Sequence, residues 1–524
     1  MGIYLNQNND LLTDDRKKKI YIDKSNIIIH TNAYIDEAEK YICVSRPRRF
    51  GKSMAANMLV AYYSRGCDSR KLFSDLEISK DPTFEKHLNK YNVIHLDMND
   101  YDYLSVKDAI EEISSEIIEE LIEENPFLKD VPNLKLIKAL EKVFIKTRIP
   151  FVFIIDEWDL IMRKKNYNSQ DQEDYLSFLK RLLKGKSYVA LCYMTGILPI
   201  KKYGEHSALN IFTEYSMENQ RNLAEYTGFT EKEVSDLCIK YDMSIDEAKK
   251  WYDGYDVCGI ETYNPRSVVM SMTWHNFENY WTKTETYEAL KVYIQMNFDG
   301  LKDKIELMLS GEKIKVNTDK FQNDMTTLSS SDDVLTLLIH LGYLTYDLNK
   351  KLCWIPNAEV QQEFINCIED GGWSEVMNAI NQSEECLKAT LNGDSETVAR
   401  IIEQTHEENT SIIKYNDENS LACVVTLSYY TSRNKYFIIR ELPTGKGYAD
   451  IAFIPRKNEN VPAIVVELKK EQSPEIALKQ IREKNYFDCL KNYSGEVLLV
   501  GLNYTTDINT GYKKHTCKIE KIVK

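Results

Sequence analysis

Along the first 200 residues, apolar and polar positions follow two periods in turn. Tyr41 to Val44, Val93 to Asp97, Pro150 to Ile155 and Tyr188 to Met194 are almost continuously apolar. Such short unbroken runs read as strands buried on both faces, as in a parallel sheet. Between them Met54 to Tyr63, Val106 to Glu123, Leu134 to Lys146 and Tyr175 to Leu183 show the helical period. Alternating strands and helices predict an α/β sheet with helices on both faces. From about 218 to 300 the pattern turns helical and rich in aromatics. Residues 300–385 add helices and a hairpin-like piece, Gly342 to Tyr346 with Leu352 to Ile355, which together read as a winged-helix-like unit. Trp373 to Asn392 is helical, and Gly393-Asp394 reads as a link. The last part changes character. An apolar helix at Leu421 to Tyr430 precedes three strands, Tyr436–Leu442, Tyr448–Pro455 and Ala463–Leu468. A helix from Ser473 to Leu490 and a strand over 495–502 follow. These breaks predict four parts: an α/β core over 1–217, a helical part over 218–300, a connector over 301–392 and a second α/β domain over 393–524.

Composition narrows the class. The 524 residues carry a formal charge of −14, and the pI is about 5.3. This excludes a globally basic nucleic-acid binder but leaves room for a local basic cleft. The 11 cysteines are scattered with no CxxC pair, so neither a zinc module nor a disulfide framework is expected. Apolar surroundings at Cys43, Cys192 and Cys423 suit buried thiols in a reducing compartment. The polar N-terminus and the lack of a long apolar run make a cytoplasmic location without membrane insertion the expectation.

The first candidate site lies between the first strand and the first helix. Arg46-Pro47-Arg48-Arg49-Phe50-Gly51-Lys52-Ser53 has the strand, tight loop and helix order of a phosphate-binding loop. The helix start offers unpaired N–H groups and the positive end of a dipole. Lys52 would reach the β- and γ-phosphates, and Ser53 would hold Mg²⁺. Arg46 stands where the usual pattern has its first glycine. Arg48 and Arg49 would neutralise phosphate charge, or pair with nearby acids. Asp156 and Glu157 end a buried strand about 100 residues later. Asp156 would support Mg²⁺ and Glu157 would orient or deprotonate the attacking water, since one acid serves the metal and the other stays available as base. Thr195, ahead of Gly196 at the next strand end, either senses the γ-phosphate or marks an ordinary turn.

A second site is expected near the C-terminus. Asp450 and Glu467 lie in neighbouring apolar strands, and Lys469 falls on the same strand face as Glu467. Acids embedded in such strands are costly unless they bind a cation or pair. Two carboxylates holding Mg²⁺ or Mn²⁺ with a lysine beside them suit phosphodiester hydrolysis. Glu418 would add a third carboxylate, while Gln480 and Tyr486 would contact substrate or order the lysine.

Together these residues resemble a prokaryotic architecture that joins an N-terminal AAA-ATPase-like domain to a C-terminal PD-(D/E)xK nuclease-superfamily domain. Further landmarks are Tyr21-Ile22-Asp23-Lys24-Ser25, Ile155 to Asp159, Gly228-Phe229-Thr230, Trp251 to Tyr255, Tyr263 to Ser267 and Tyr280-Trp281. The resemblance implies a P-loop NTPase sheet, a helical lid after about 218, and a nuclease-like α/β domain at the end. It makes Arg46 ordinary for the family and places Asp23 and Lys24 near the nucleotide. It has Asn264 and Arg266 brace the lid or approach the phosphates. It assigns metal to Asp450 and Glu467 and catalysis to Lys469, with Ala449 where proline is usual. The implied function is an ATP-binding and ATP-hydrolysing protein coupled to a metal-dependent nuclease on DNA or RNA, with homo-oligomers open. The alternative is an ATP-dependent regulatory switch whose nuclease-like domain recognises nucleic acid or protein without cutting. Lys470, Lys479, Lys484, Lys513, Lys514, Lys518 and Lys521 supply local basicity near the second site, as does Lys446.

Overall fold

The computed structural model describes residues 2–164, 166–200, 209–219, 221–257, 259–281, 290, 294, 298, 300–309, 311–321, 328–370, 374–408, 421, 424–426, 428–429, 432, 435–444, 447–455, 461–484, 495–506 and 513–522. They form two compact units. One comprises Met1–Gly300 with Lys313–Glu363, and the other Leu301–Glu312 with Phe364–Lys524. The stretch 301–392 is thus shared between the units.

The first unit is built on a parallel sheet of β1 (Tyr41–Ser45), β2 (Asn92–Asp97), β3 (Phe151–Asp156), β4 (Val189–Gly196) and β5 (Thr213–Tyr215), in the order β2-β3-β4-β1-β5. Alternation within β3 supplies both faces. Phe151, Phe153 and Ile155 pack with the helices Val106–Glu124, Leu136–Thr147 and Ser169–Leu183. Val152 and Ile154 pack with the helix Lys52–Tyr63. These side chains are fully buried, and each such burial stabilises by about 1.5–3 kcal/mol. Because the strands are parallel, their carboxyl ends share one edge: Asp97 is in register with Asp156, and Ser45 with Gly196. Ligands of open α/β sheets bind at that edge.

The four predicted strands all form. The helix expected from Tyr175 begins at Ser169, because Asn168 and Asp171 make a reciprocal capping box ahead of a polar first turn. Strand β5 was not predicted; three residues are too few for a period to register. Beyond it, β6 (Phe229–Thr230), β7 (Tyr255–Val257) and β8 (Ile260–Tyr263) form a small sheet in the order β6-β8-β7. The helices Glu231–Tyr241, Ile245–Tyr252 and Pro265–Trp274 accompany it. The expected hairpin is β10 (Thr345–Asp347) with β11 (Leu352–Trp354), after the helix Ser331–Leu341. It gains a third strand, β9 (Ile314–Lys315).

The second unit has one mixed sheet in the order β12-β13-β14-β15-β16: Tyr436–Thr444, Gly447–Pro455, Ala463–Lys470, Val497–Thr506 and Lys513–Ile522. Only β14 and β15 pair in parallel, and the helix Pro474–Glu483 lies between them in sequence. Leu478 and Ile481 of that helix cover Val465 and Leu499 on one face. Ile401, Ile402, Leu421 and Val424 cover Val466, Val500 and Leu502 on the other. The three strands and helix Ser374–Leu391 match expectation. Strand β16 does not, since its Lys-rich sequence reads as surface charge. Glu418, Lys446 and Tyr486 lie outside the described residues. Among the described residues no disulfide forms, and no helix is long and apolar enough to cross a membrane.

Candidate functional site

At the carboxyl edge of the first sheet, the loop after β1 opens on a cavity of about 790 Å³. Gly51 adopts φ 86°, a left-handed conformation that a glycine holds without strain. It starts the helix Lys52–Tyr63, and no side chain caps that start. Uncapped first-turn amides and the helix dipole favour an anion there. Arg48, Arg49, Gly51, Lys52 and Ser53 line the cavity with Lys18, Lys19 and Lys24. Arg266 enters from the N-terminus of helix Pro265–Trp274, where Asn264 accepts its backbone N–H at 2.9 Å. Burial lowers the Arg49 pKa, and the charges of Arg266 and Arg48 lower it further. The repulsion of Arg49 by Arg266 and Arg48 favours a negatively charged ligand beside them. Tyr21, Ile22, Tyr226 and Phe229 supply an apolar wall, the mixture that ligand pockets use.

Glu157 lines the same cavity and sits in the left-handed region at φ 51°. Arg49 does likewise at φ 71°. Positive φ in residues with side chains costs energy and gathers at functional sites. Glu157 Oε1 lies 3.5 Å from Lys52 Nζ, and its other oxygen pairs with Arg163. Burial raises the Glu157 carboxyl, but Lys52, Arg163 and Arg48 outweigh it and hold the group below its ordinary range. Burial likewise opposes the Arg163 charge, which Asp159 and Glu157 hold on. Asp156 is buried and accepts from Thr195 Oγ1 and from the Glu157 N–H at 2.9 Å.

The sequence reading overlooked two neighbours. Asp97, opposite Asp156 at the end of β2, has its carboxyl pushed up to about 6 by burial and by the charges of Asp156, Asp100 and Glu157. Asp156, in register with Asp97 and next to Glu157 at the strand end, is an oxygen donor of the kind that fits a divalent cation. Arg163 is the other: it follows Asp159 by four residues, a helical spacing open to detection once the helix is known.

Not every predicted contact faces the cavity. Arg46, Pro47, Asp156 and Thr195 do not line it. The Arg46 side chain is fully buried and donates to Ser45 O, Tyr215 O and Thr227 Oγ1 at 2.9, 2.8 and 2.7 Å. Pro47 packs on Gly342, where an added Cβ would come within 2.7 Å of Pro47 Cγ. Phe50 makes an edge contact with Tyr255 and accepts the Gly228 N–H at 3.0 Å. Asp23 accepts the N–H groups of Ser25 and Glu77, both at 2.8 Å, and so ties segments together. Lys24 reaches the wall but also donates to Glu225 O and pairs with Glu233, both at 2.6 Å.

The second unit brings its predicted residues together. Beyond the paired residues Ile451 and Val466, Asp450 accepts the Leu468 N–H at 2.7 Å. Glu467 is almost wholly buried; its Oε1 accepts from Lys469 Nζ at 2.9 Å and from Gln480 Nε2. Burial and the Asp450 charge push the Glu467 carboxyl up to about 7, against the pull of Lys469. Its Oε2 is buried with no hydrogen-bond partner among the described residues. An oxygen without a partner beside a second acid fits a cation. Among the described residues no group of three or more His, Cys, Asp or Glu forms a larger metal cage.

Comparison with known proteins agrees with the two-unit layout. Residues 11–204 match the family model described as a predicted AAA-ATPase, and residues 416–511 match that of the PD-(D/E)xK nuclease superfamily. A curated uncharacterized protein from the vnfD 5′ region of Azotobacter chroococcum mcd 1 is 22% identical over 277 residues. That match covers 51% of this chain and 51% of the relative, so the chain spans about half the length of the relative it matches. A Walker-type ATPase of Pyrococcus abyssi is 12% identical over 65% of this chain and 94% of its own, with a TM-score of 0.34. The ORC2 protein of Aeropyrum pernix is 10% identical over 67% and 97%, with a TM-score of 0.30. At these scores the fold rests on the chain's own sheet order and on the family matches. The chain therefore joins an AAA-ATPase-like domain to a C-terminal domain of the PD-(D/E)xK nuclease superfamily.

Proposed function

We propose that the chain binds and hydrolyses ATP with Mg²⁺ and that this reaction governs a metal-dependent nuclease in its C-terminal domain, acting on DNA or RNA in the cytoplasm. The working boundaries are an ATPase core over 1–217, a helical lid over 218–300, a connector over 301–392 and a nuclease-like domain over 393–524. One observation carries the ATPase reading: Lys52, Ser53, Arg48, Arg49, Arg266 and Glu157 converge on one cavity that also has an apolar wall. Arginines and Lys52 take the phosphates, and Ser53 and Asp156 hold the metal. Glu157, kept ionised by its cations, accepts a proton from water. Asp450 and Glu467 hold a metal in the C-terminal domain, Mn²⁺ serving as well as Mg²⁺, and Lys469 stabilises charge on the phosphorus. A bound divalent ion supplies charge neutralisation at the phosphate.

The test uses purified full chain with Mg²⁺ or Mn²⁺, with and without ATP, on labelled DNA and RNA. Lys52→Ala is expected to abolish ATP binding. Glu157→Gln is expected to retain binding and lose hydrolysis by about 100-fold or more. Glu467→Ala is expected to abolish cleavage while ATP turnover continues. Wild-type ATP turnover with no cleavage of either nucleic acid would defeat the nuclease half.

That outcome would favour a second reading, an ATP-dependent switch whose nuclease-like domain recognises nucleic acid or protein without cutting. Its supporting observation is that Lys469 Nζ is engaged by Glu467 and by Leu468 O, both at 2.9 Å. Homo-oligomers are compatible with either reading, and sedimentation with and without ATP distinguishes them from monomers.

A further inference from the structure

Lys52 does not face the cavity unengaged. Its Nζ donates to Pro47 O at 3.1 Å and lies 3.5 Å from Glu157 Oε1. Glu157 has a second cation, Arg163, on its other oxygen. Arg163 Nε in turn donates to Asp159 Oδ2 at 2.9 Å. Asp159 is fixed from the far side, where the same oxygen accepts the N–H groups of Ile197 and Leu198 at 3.1 and 2.7 Å. Lys52, Glu157, Asp159 and Arg163 are all largely removed from water, with side-chain exposures of 4%, 14%, 0% and 9%. Two cations and two anions balance.

A triphosphate in the cavity changes that balance. The ammonium of Lys52 must leave Glu157 to reach the phosphates. Glu157 would then be a poorly hydrated carboxylate next to a tetra-anionic ligand, an arrangement that costs binding unless another cation stays with it. The planar guanidinium can serve two acids at once, which an ammonium on a flexible stem does poorly. Asp159 and the two backbone amides hold that guanidinium in place whatever Lys52 does.

We infer that Arg163 is a positioning residue that remains on Glu157 as its counter-ion and thereby releases Lys52 to the nucleotide. The inference rests on reading the cavity as an ATP site. In this scheme Glu157 keeps its orientation through the exchange, and the energetic cost of moving Lys52 falls.

A double-mutant cycle on the full chain tests it, with ATP affinity measured by calorimetry for wild type, Arg163→Gln, Glu157→Gln and the double variant. Arg163→Gln is expected to weaken ATP binding on the order of tenfold, and adding Glu157→Gln to restore affinity to within about threefold of the Glu157→Gln single variant, as expected of charges in direct contact. Equal weakening with and without Glu157→Gln would make Arg163 only a brace for Asp159 and overturn the inference. So would unchanged affinity in Arg163→Gln. A wild type that binds no ATP overturns the nucleotide reading, and the inference with it. Should Arg163→Gln fail to fold because Asp159 is left unpaired, the same cycle is run in an Asp159→Asn background, and the same two results support or overturn the inference.

Discussion

Arg46 stands one step past β1, and its guanidinium turns inward to join three segments: Ser45 at the strand end, Tyr215 on β5 and Thr227 ahead of β6. Its backbone N–H adds a fourth tie, to Gly196 O at 2.9 Å. A small residue at that point would give the loop room but would leave these segments unjoined. Hydrogen bonds from a charged group are each worth about 1.5–3 kcal/mol when buried. Arg46→Ala is therefore expected to destabilise the first unit by about 3 kcal/mol or more, seen as an earlier denaturant midpoint. Arg46→Lys should recover little, since one ammonium cannot match the separated donors of the fork. Full recovery by lysine would mean that charge alone matters. This is also where sequence reading meets its limit at residue scale. Gly51-Lys52-Ser53 and Asp156-Glu157 are legible because the chemistry needs those types at strand ends. The direction of the Arg46 side chain, and the hold of Arg163 on Glu157, depend on neighbours from elsewhere in the chain.

The elements around the loop act as its frame. Gly342 ends the helix Ser331–Leu341 in the left-handed region at φ 85°, and its carbonyl accepts from Tyr255 at 2.8 Å. Tyr255 touches Phe50, and Gly342 itself abuts Pro47. The helix end thus packs on the phosphate-binding loop through two routes. Gly342→Ala is expected to destabilise by about 1–3 kcal/mol, from the positive φ and from a Cβ pressed on Pro47, and to weaken ATP affinity through the displaced loop. Gly342→Asn separates the causes, because asparagine tolerates this φ but carries the same Cβ. If asparagine restores both stability and affinity, contact with Pro47 is not the reason for the glycine. Helices and buried strands of the first unit were legible because each has a long, clean period. Strand β16 was not: its inward-facing residues His515, Cys517 and Ile519 alternate with Lys514, Thr516, Lys518 and Glu520, which mask the apolar signal. Its place at the sheet edge beside β15 follows from pairing, which a local pattern does not contain.

At the scale of the whole molecule, the net charge of −14 hides unlike local environments in two units. The second unit contains a buried chain of polar groups far from any acid of its candidate site in sequence. Lys513 Nζ lies 2.9 Å from His406 Nε2, His406 Nδ1 lies 2.9 Å from His515 Nε2, and His515 Nδ1 lies 3.2 Å from Lys513 O. An ammonium can only donate, and a carbonyl can only accept. The chain therefore runs in one direction, with both imidazoles neutral and each carrying its proton on Nδ1. Tyr504 lies against both rings. Glu403 accepts the backbone N–H of His515 at 2.7 Å, and Lys470 lies over the Tyr504 ring. Burial, then the charges of Lys513 and His515, pushes the His406 pKa down to about 3. Burial outweighs the help of Glu403 at His515, pushing it down to about 4. A histidine whose folded pKa is depressed takes up a proton more readily when unfolded. Its contribution to stability is present above the unfolded value, about 6.5, and is lost as pH falls toward the folded value. The second unit is expected to lose about 3–5 kcal/mol between pH 6.5 and 4.5 from this pair, beyond any loss from carboxylates. Denaturant unfolding of the full chain at pH 7.5, 6.0 and 4.5, followed by a probe in the second unit, measures it. His515→Gln should largely keep stability at pH 7.5, because its amide oxygen can accept the His406 Nδ1–H in place of His515 Nε2, and should flatten the acid limb, because one titrating group is gone. An acid limb as steep in His515→Gln as in wild type would mean that the pair does not set the response.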